Sequence, residues 1–203
     1  MVAKRPGPAA PKARSGRRPA AKLAPVIEIR QVETFDEAAM AALAGPIFGD
    51  AARQQYLSEL IGPDADARNK ALRAELPKPQ RIRIAAFDGD RFVGCSSGWF
   101  EFGGGFYIGL SAVEPGYRRR GVYTRMLEAM EQAVRERGGL LISSQHVATN
   151  NAVLIAKLRM GYVVAGTEYV EPMGLLVRLV LHLAPQRRAL FESRTGTLQP
   201  PVA

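Results

Sequence analysis

The run Val113-Glu114-Pro115-Gly116-Tyr117-Arg118-Arg119-Arg120-Gly121-Val122-Tyr123-Thr124 holds the residues of this chain best suited to chemistry. The apolar stretch Phe106 to Val113 leads into it as a strand, and a helical pattern follows at once. Arg118, Gly121 and Tyr123 therefore sit on a strand-to-helix turn. A turn of that kind aims several backbone N–H groups at one point, with the positive end of the helix macrodipole behind them. That is an anion site suited to a pyrophosphate. The three arginines add charge and bidentate donors. Gly121 lets the backbone approach a phosphate with no Cβ in the way.

A second segment, Asn150-Asn151-Ala152-Val153-Leu154-Ile155-Ala156-Lys157-Leu158-Arg159-Met160-Gly161-Tyr162, gives an Asn, an apolar helix and then Gly with an aromatic residue. Together the two segments resemble the GNAT superfamily of N-acetyltransferases. The coenzyme A loop of that family reads Gln/Arg-x-x-Gly-x-Gly/Ala after the fourth strand. Arg118 and Gly121 match it, and Tyr123 stands where a small residue is usual. The resemblance implies an α/β (α+β) chain with the acyl-CoA N-acyltransferase fold over residues 26–183. That fold is a central mixed, mostly antiparallel sheet of about seven strands flanked by helices. It implies acetyl-CoA as cosubstrate, no metal, and direct acetyl transfer to a primary amine without a covalent enzyme intermediate. On the same resemblance, the central strand splays from the fifth to make a slot. Backbone groups at Ala112 and Val113 pair with the pantetheine arm. Arg118, Arg119, Arg120, Gly121, Val122, Tyr123 and Thr124 hold the pyrophosphate, and Asn150 orients the arm.

Attack of an amine on a thioester needs a base for the ammonium, a donor for the carbonyl oxygen and some means of handling the thiolate. Relatives commonly place an acid in the central strand, but Phe106 to Val113 contains none. Glu114 falls beside Pro115 and is expected to face solvent. His146 ends the fifth strand near the slot, and an ordinary histidine pKa near 6.5 suits proton transfer. The plainer reading is a surface histidine at a strand end. Tyr107 and Ser111 could anchor a water relay, or simply pack and line the strand. The family often has a Tyr on the helix after the fifth strand that protonates the thiolate. At that spacing this chain has Lys157, which reads otherwise as a solvated helix residue. The catalytic candidates are therefore His146, Tyr107 and Lys157, with bulk water as a substitute acid. Glu59, Asp64 and Asp66 could bind a cationic amine or form a solvated helix face. No metal set is legible: His146 and His182 are far apart, and Cys95 has no second cysteine to join it.

The elements that must position these groups follow from periodicity and turn signals. Val26 to Val32 alternates as a half-buried strand, and Thr34 reads as the N-cap of a helix from Phe35 to about Leu43. Helical patterns at 50–61 and 64–76 are separated by Gly62-Pro63-Asp64. Arg81 to Phe87 and Arg91 to Phe102 form a hairpin about Asp88-Gly89-Asp90. Gly103-Gly104-Gly105 leads to the central strand. The helix after the loop carries the stripe Val122, Met126, Met130, Ala133 and Val134, and ends at Gly138-Gly139. Leu140 to His146, Tyr162 to Val170 and Leu175 to Leu183 complete the strands, with the Asn150 helix after the first.

Length and composition bound the rest. The chain has 203 residues, 47% of them hydrophobic, which suits one domain with a real core. Its formal charge of +9 is unevenly placed. Residues 1–25 hold Lys4, Arg5, Lys12, Arg14, Arg17, Arg18 and Lys22 with no acid. Removing these seven from 28 leaves 21 basic residues against 19 acidic ones. The same stretch has five prolines and is expected to be a disordered tail, either solubilising or in weak nonspecific contact with polyanions. Residues 184–203 read as a weakly ordered extension. With one cysteine and no apolar run of spanning length, a cytoplasmic, membrane-free protein is expected. Cys95 reads as a packed core thiol. The acceptor, a small-molecule or peptide amine, stays open. So does the alternative of a catalytically impaired acyl-CoA sensor whose basic tail contacts nucleic acid, as does the oligomeric state.

Overall fold

Two elements decide the architecture: a hairpin of β2 (Arg81–Asp88) and β3 (Arg91–Phe100), and a long amphipathic helix packed across it. The hairpin turns through Gly89, whose φ of 58° lies in the left-handed region. The computed structural model describes residues 26–48, 58–170 and 173–196. Before the hairpin come β1 (Glu28–Gln31), α1 (Glu37–Phe48) and α2 (Pro63–Glu75). After it come β4 (Gly105–Val113), a 3-10 turn (Pro115–Tyr117), α3 (Val122–Glu136) and β5 (Leu141–Val147). The order closes with α4 (Asn151–Arg159), β6 (Val163–Val170), β7 (Gly174–His182) and α5 (Pro185–Thr195). The seven strands lie in the order β1-β2-β3-β4-β5-β7-β6. Every neighbouring pair is antiparallel except β4 with β5. The fold class expected from the sequence is therefore the one observed.

Helix α3 buries Val122, Met126, Leu127, Met130, Ala133 and Val134 along one stripe. They meet Ile82, Ile84, Val93, Phe106, Ile108 and Ile142 from the sheet in one apolar cluster. Each large side chain fully buried there contributes about 1.5–3 kcal/mol. The other face is thinner: Ala44, Met40 and Leu43 of α1 cover Cys95, Leu110 and Ala112. Cys95 is the packed core thiol expected, and burial pushes it up to about 11.

Several expected boundaries move. Helix α1 starts two residues late, because the Asp36 carboxylate rather than Thr34 caps it: Ala39 N donates to Asp36 Oδ1 at 2.8 Å. Strand β3 stops at Phe100, where Glu101 N donates to the Gly105 carbonyl at 2.8 Å and closes the turn. Residues 184–203 are not a loose extension as far as they are described. Pro185 starts α5, the Phe191 ring lies 5.3 Å from His182, and Arg188 donates to the Gly161 carbonyl at 2.9 Å. Of the 50–61 helix, residues 58–61 are described and are helical. The 1–25 tail lies outside the described residues. Among those described, no helix is long and apolar enough to cross a membrane.

Candidate active site

The central feature is a gap in the sheet. Strands β4 and β5 pair only at Gly105–Leu141, Phe106–Ile142 and Tyr107–Ser143. Beyond that point β4 stays paired with β3 as far as Val113, and β5 stays paired with β7 as far as Val147. The two strands therefore diverge from each other while each keeps its outer neighbour. A bulge sits at the fork. Ser97 faces Leu110 and Gly98 faces Ile108, so Gly109 is the extra residue, and a bulge bends the strand that carries it. Gly109 is required by close approach: an added Cβ would lie 2.5 Å from the Trp99 ring. The open edge of β4, Ile108 to Val113, is about 17 Å long at roughly 3.3 Å per residue.

At the wide end of this slot lies the basic loop. Gly121 has φ 76° and is the N-cap of α3, with no side chain capping it. A Cβ there would meet nothing within 4 Å, so the backbone conformation and not packing calls for glycine. Arg119 has φ 61°, the one positive φ of a non-glycine residue among those described. A left-handed non-glycine residue costs about 1–3 kcal/mol and clusters at functional sites. Left-handed residues of this kind turn successive N–H groups to one side as an anion nest. The first-turn N–H groups of Val122, Tyr123 and Thr124 have no intrahelical acceptor by helix geometry.

The side chains of the loop divide their work. Arg118 turns back and donates from Nε to the Val113 carbonyl at 3.0 Å, tying loop to strand. Arg119 and Arg120 are exposed, with Arg120 5.3 Å from the Tyr117 ring centre. Tyr117 is anchored by a 2.6 Å bond to Asp88. Glu114, expected to face solvent, is instead half-buried and paired with Arg91 at 2.6 Å. Val122 is a core residue, so only its backbone can face an anion. The Tyr123 ring packs against the main core, and its hydroxyl is buried without a hydrogen-bond partner among the described residues. Burial pushes that phenol well above the usual tyrosine range. Beside the loop, a cleft of about 510 Å³ runs between Thr124, Glu128 and Glu131 of α3 and Ala156, Arg159 and Met160 of α4. Asn150 caps α4, its Oδ1 accepting from Val153 N at 3.4 Å.

The narrow end overturns one expectation. Lys157 is not solvated: it is 0% exposed, on the side of α4 that packs inward. Its Nζ donates to Ser144 Oγ at 2.7 Å and lies 4.4 Å from the Tyr162 ring centre. Ser144 Oγ also meets His146 Nε2 at 3.0 Å. Burial holds the lysine down at about 7. His146 is half-buried rather than a free strand end, and burial, then the Lys157 charge, bring it to about 4.

Alternation along β5 puts Gln145 on the opposite face from Ser144 and His146. There Tyr107 donates to Gln145 Oε1 at 3.0 Å, Gln145 Nε2 donates to Glu168, and the Trp99 and Tyr107 rings are 4.9 Å apart. Burial, then Glu101 and Glu168, raise the Tyr107 phenol. Lys157 with His146 and Tyr107 thus flank the fork from its two sides. Ser111 is bonded to Ser96 at 2.9 Å. Asp66 is occupied by Lys70 of its own helix at 2.6 Å and by Ser58 of the preceding helical turn at 3.2 Å. Asp64 sits in the first turn of α2, where the helix dipole favours an acid. Ser144, Gln145, Trp99 and Glu168 were not singled out from the sequence. Strand alternation could have paired Ser144 with His146, but the partners across the sheet had no local signal. Among the described residues no group of His, Cys, Asp and Glu side chains gathers to hold a metal.

A strand fork leading to an uncapped helix N-terminus is the frame of an acyl-CoA transferase fold. The acetyltransferase (GNAT) family profile matches residues 49–162, more than half of the chain. The chain belongs to the GNAT family and is an acyltransferase. No curated protein matches it. Among solved structures it resembles the ribosomal-protein-S18-alanine N-acetyltransferase from Escherichia coli, at 13% identity and TM-score 0.58 over 78% of this chain and 95% of that one. It also resembles the NatC complex bound to Gag peptide and CoA, at 16% identity and TM-score 0.57 over 78% and 99%. An aminoglycoside 6'-N-acetyltransferase complexed with coenzyme A gives 16% identity and TM-score 0.54 over 78% and 98%. At these identities the likeness is one of fold.

Proposed function

We propose that this chain transfers an acetyl group from acetyl-CoA directly to a primary amine. The observation that carries the reading is the fork: β4 leaves β5 after Tyr107 yet stays paired to β3 through Val113. The open edge this makes runs straight into the uncapped first turn of α3. An unpaired strand edge offers backbone donors and acceptors to an extended, amide-bearing arm. In this reading Ala112 and Val113 take up the pantetheine arm and Asn150 orients it. The backbone of Gly121, Val122, Tyr123 and Thr124, with Arg119 and Arg120 above it, holds the pyrophosphate. Arg118 fixes the loop to Val113 and adds charge. A backbone N–H near the fork holds the thioester oxygen as it gains charge.

The amine approaches on the Tyr107 side. Its nitrogen attacks the acetyl carbon, and the proton it sheds passes to water held there. Tyr107, bonded to Gln145 and kept neutral by burial, suits that holding role. The structural relatives are a ribosomal-protein-S18-alanine N-acetyltransferase, a complex bound to a peptide and an aminoglycoside N-acetyltransferase, so they do not select an acceptor. The single, buried cysteine fits a reducing cytoplasm.

Acetyl-CoA at a hundred times its dissociation constant stabilises a binding protein by about 2.7 kcal/mol. A thermal-shift series with acetyl-CoA tests the site. Free-thiol release with a polyamine, an aminoglycoside, a lysine peptide and a peptide with a free N-terminus tests the reaction. No shift removes the reading. A shift with no thiol released by any amine leaves acyl-CoA binding and removes transfer to these acceptors.

A further inference from the structure

Among the described residues, Lys157 is the charged side chain that the fold buries completely. Its ammonium meets a neutral hydroxyl at 2.7 Å and an aromatic face, with no carboxylate of the described residues in its ion-pair range. Burying a charge on such terms costs several kcal/mol, and an apolar residue of similar volume would serve packing better. The position explains the expense. Ser144, the partner of Lys157, directly follows Ser143, the last β5 residue paired with β4. Lys157 is therefore held at the point of the fork. In the transferase reading, on which this inference rests, the pyrophosphate occupies the far end. The extended arm then delivers its sulfur towards this point.

We propose that Lys157 is the catalytic acid that protonates the departing coenzyme A thiolate, held in place by Ser144 and recharged through Ser144 and His146. The neutral amine nitrogen bonds to the acetyl carbon, and the C–S bond breaks with its electron pair going to sulfur. One ammonium proton of Lys157 passes to that sulfur, giving the free thiol and a neutral lysine. The proton lost by the attacking nitrogen goes to water, and an equivalent proton returns to Lys157 by way of His146 and the Ser144 hydroxyl.

The groups facing Lys157 fit this use. His146 comes from β5 and Tyr162 precedes β6; burial, then Tyr123 and Glu131 of α3, raise the Tyr162 phenol. Across the ladder, Ser144 and His146 pair with the apolar Leu179 and Val177 of β7. A lysine brought down to about 7 by burial is charged and acidic enough to give up a proton near neutrality.

The test uses the full chain as wild type, K157M, K157R and S144A. Acetyl-CoA affinity is measured by calorimetry, and thiol release is followed across pH with the fastest amine. In K157M, kcat falls about 100-fold, at the lower end of what a general acid supplies. Acetyl-CoA affinity holds, and the alkaline fall in rate near pH 7 disappears. K157R keeps a charge that does not titrate, so its alkaline limb moves out of range. S144A removes an acceptor from the ammonium and shifts the limb to lower pH, a change that a packing role would not produce. Should K157M fail to fold, the S144A limb decides in its place. Wild type that binds no acetyl-CoA overturns the transferase reading itself. Wild type that turns over, beside K157M with the same kcat and profile, overturns the lysine assignment alone. So does folded K157M that has lost acetyl-CoA affinity.

Discussion

The two ends of the β4–β5 fork are built on opposite principles. The wide end is backbone: a left-handed arginine, a left-handed glycine and the uncapped first turn of α3, with flexible guanidinium groups outside. It is open to solvent, and its charge is carried by exposed guanidinium groups. The narrow end is side chain: Lys157, Ser144 and His146, packed together with the charge desolvated. Screening weakens the first, whereas low dielectric amplifies the second. Binding a multiply charged nucleotide suits the wet end, and moving one proton suits the dry one. In the proposed reaction, affinity and proton handling are thereby separated along a single strand edge.

The sharpest way to break this division is Gly121→Glu. The new carboxylate meets the phosphate position, and like charges in contact cost several kcal/mol. Acetyl-CoA affinity measured by calorimetry is expected to fall at least about 100-fold, and the left-handed φ lowers stability by about 1–3 kcal/mol. Wild-type affinity in this variant separates the loop from the site.

The next effect belongs to the dry end and is thermodynamic. Unfolded, a lysine titrates near 10.5, whereas folded Lys157 does so at about 7. Between those values the unfolded chain binds more protons, so this group makes stability rise as pH increases from about 7 to 10.5. Lys157→Met removes the dependence. Its melting-temperature gain over wild type is expected to be largest at or below neutral pH and to shrink towards pH 10. A gain that is flat with pH counts against a desolvated ammonium. His146 acts in the same direction lower down. Its folded value of about 4 against 6.5 means that its contribution falls as pH drops through that window, which acid titration of wild type and His146→Phe compares.

Smaller effects sharpen the boundary between the ends. Tyr123→Phe removes a buried hydroxyl that has no partner among the described residues and is expected to raise stability by about 1 kcal/mol in denaturant melts. An acetyl-CoA affinity that falls in this variant would show that the hydroxyl serves the bound nucleotide. Tyr107→Phe breaks the bond to Gln145 on the acceptor face. A few-fold rise in KM for the amine, with acetyl-CoA affinity unchanged, is expected. An equal change in both would place Tyr107 in the cofactor slot.

The wide end was legible because its determinants are local. Arg118-x-x-Gly121 between an apolar strand and a helical stripe specifies a turn, and a turn specifies where its amides point. The narrow end was not, because burial is a tertiary property. Lys157 in an apolar helix reads as solvated until α4 is laid against the sheet. Glu114 looked exposed until Arg91, on a neighbouring strand, reached it. Residues 184–203 looked loose because their anchors, Gly161 and His182, lie outside the segment.

By itself the sequence determined the strand and helix order, the basic strand-to-helix turn and the family resemblance, since periodicity and turn chemistry act over a few neighbouring residues. Only the tertiary structure decided where β4 and β5 part, and that Lys157, Ser144 and His146 meet at the parting. Those facts depend on strands far apart in the chain, and on the removal of water that brings an ordinary lysine down to about 7.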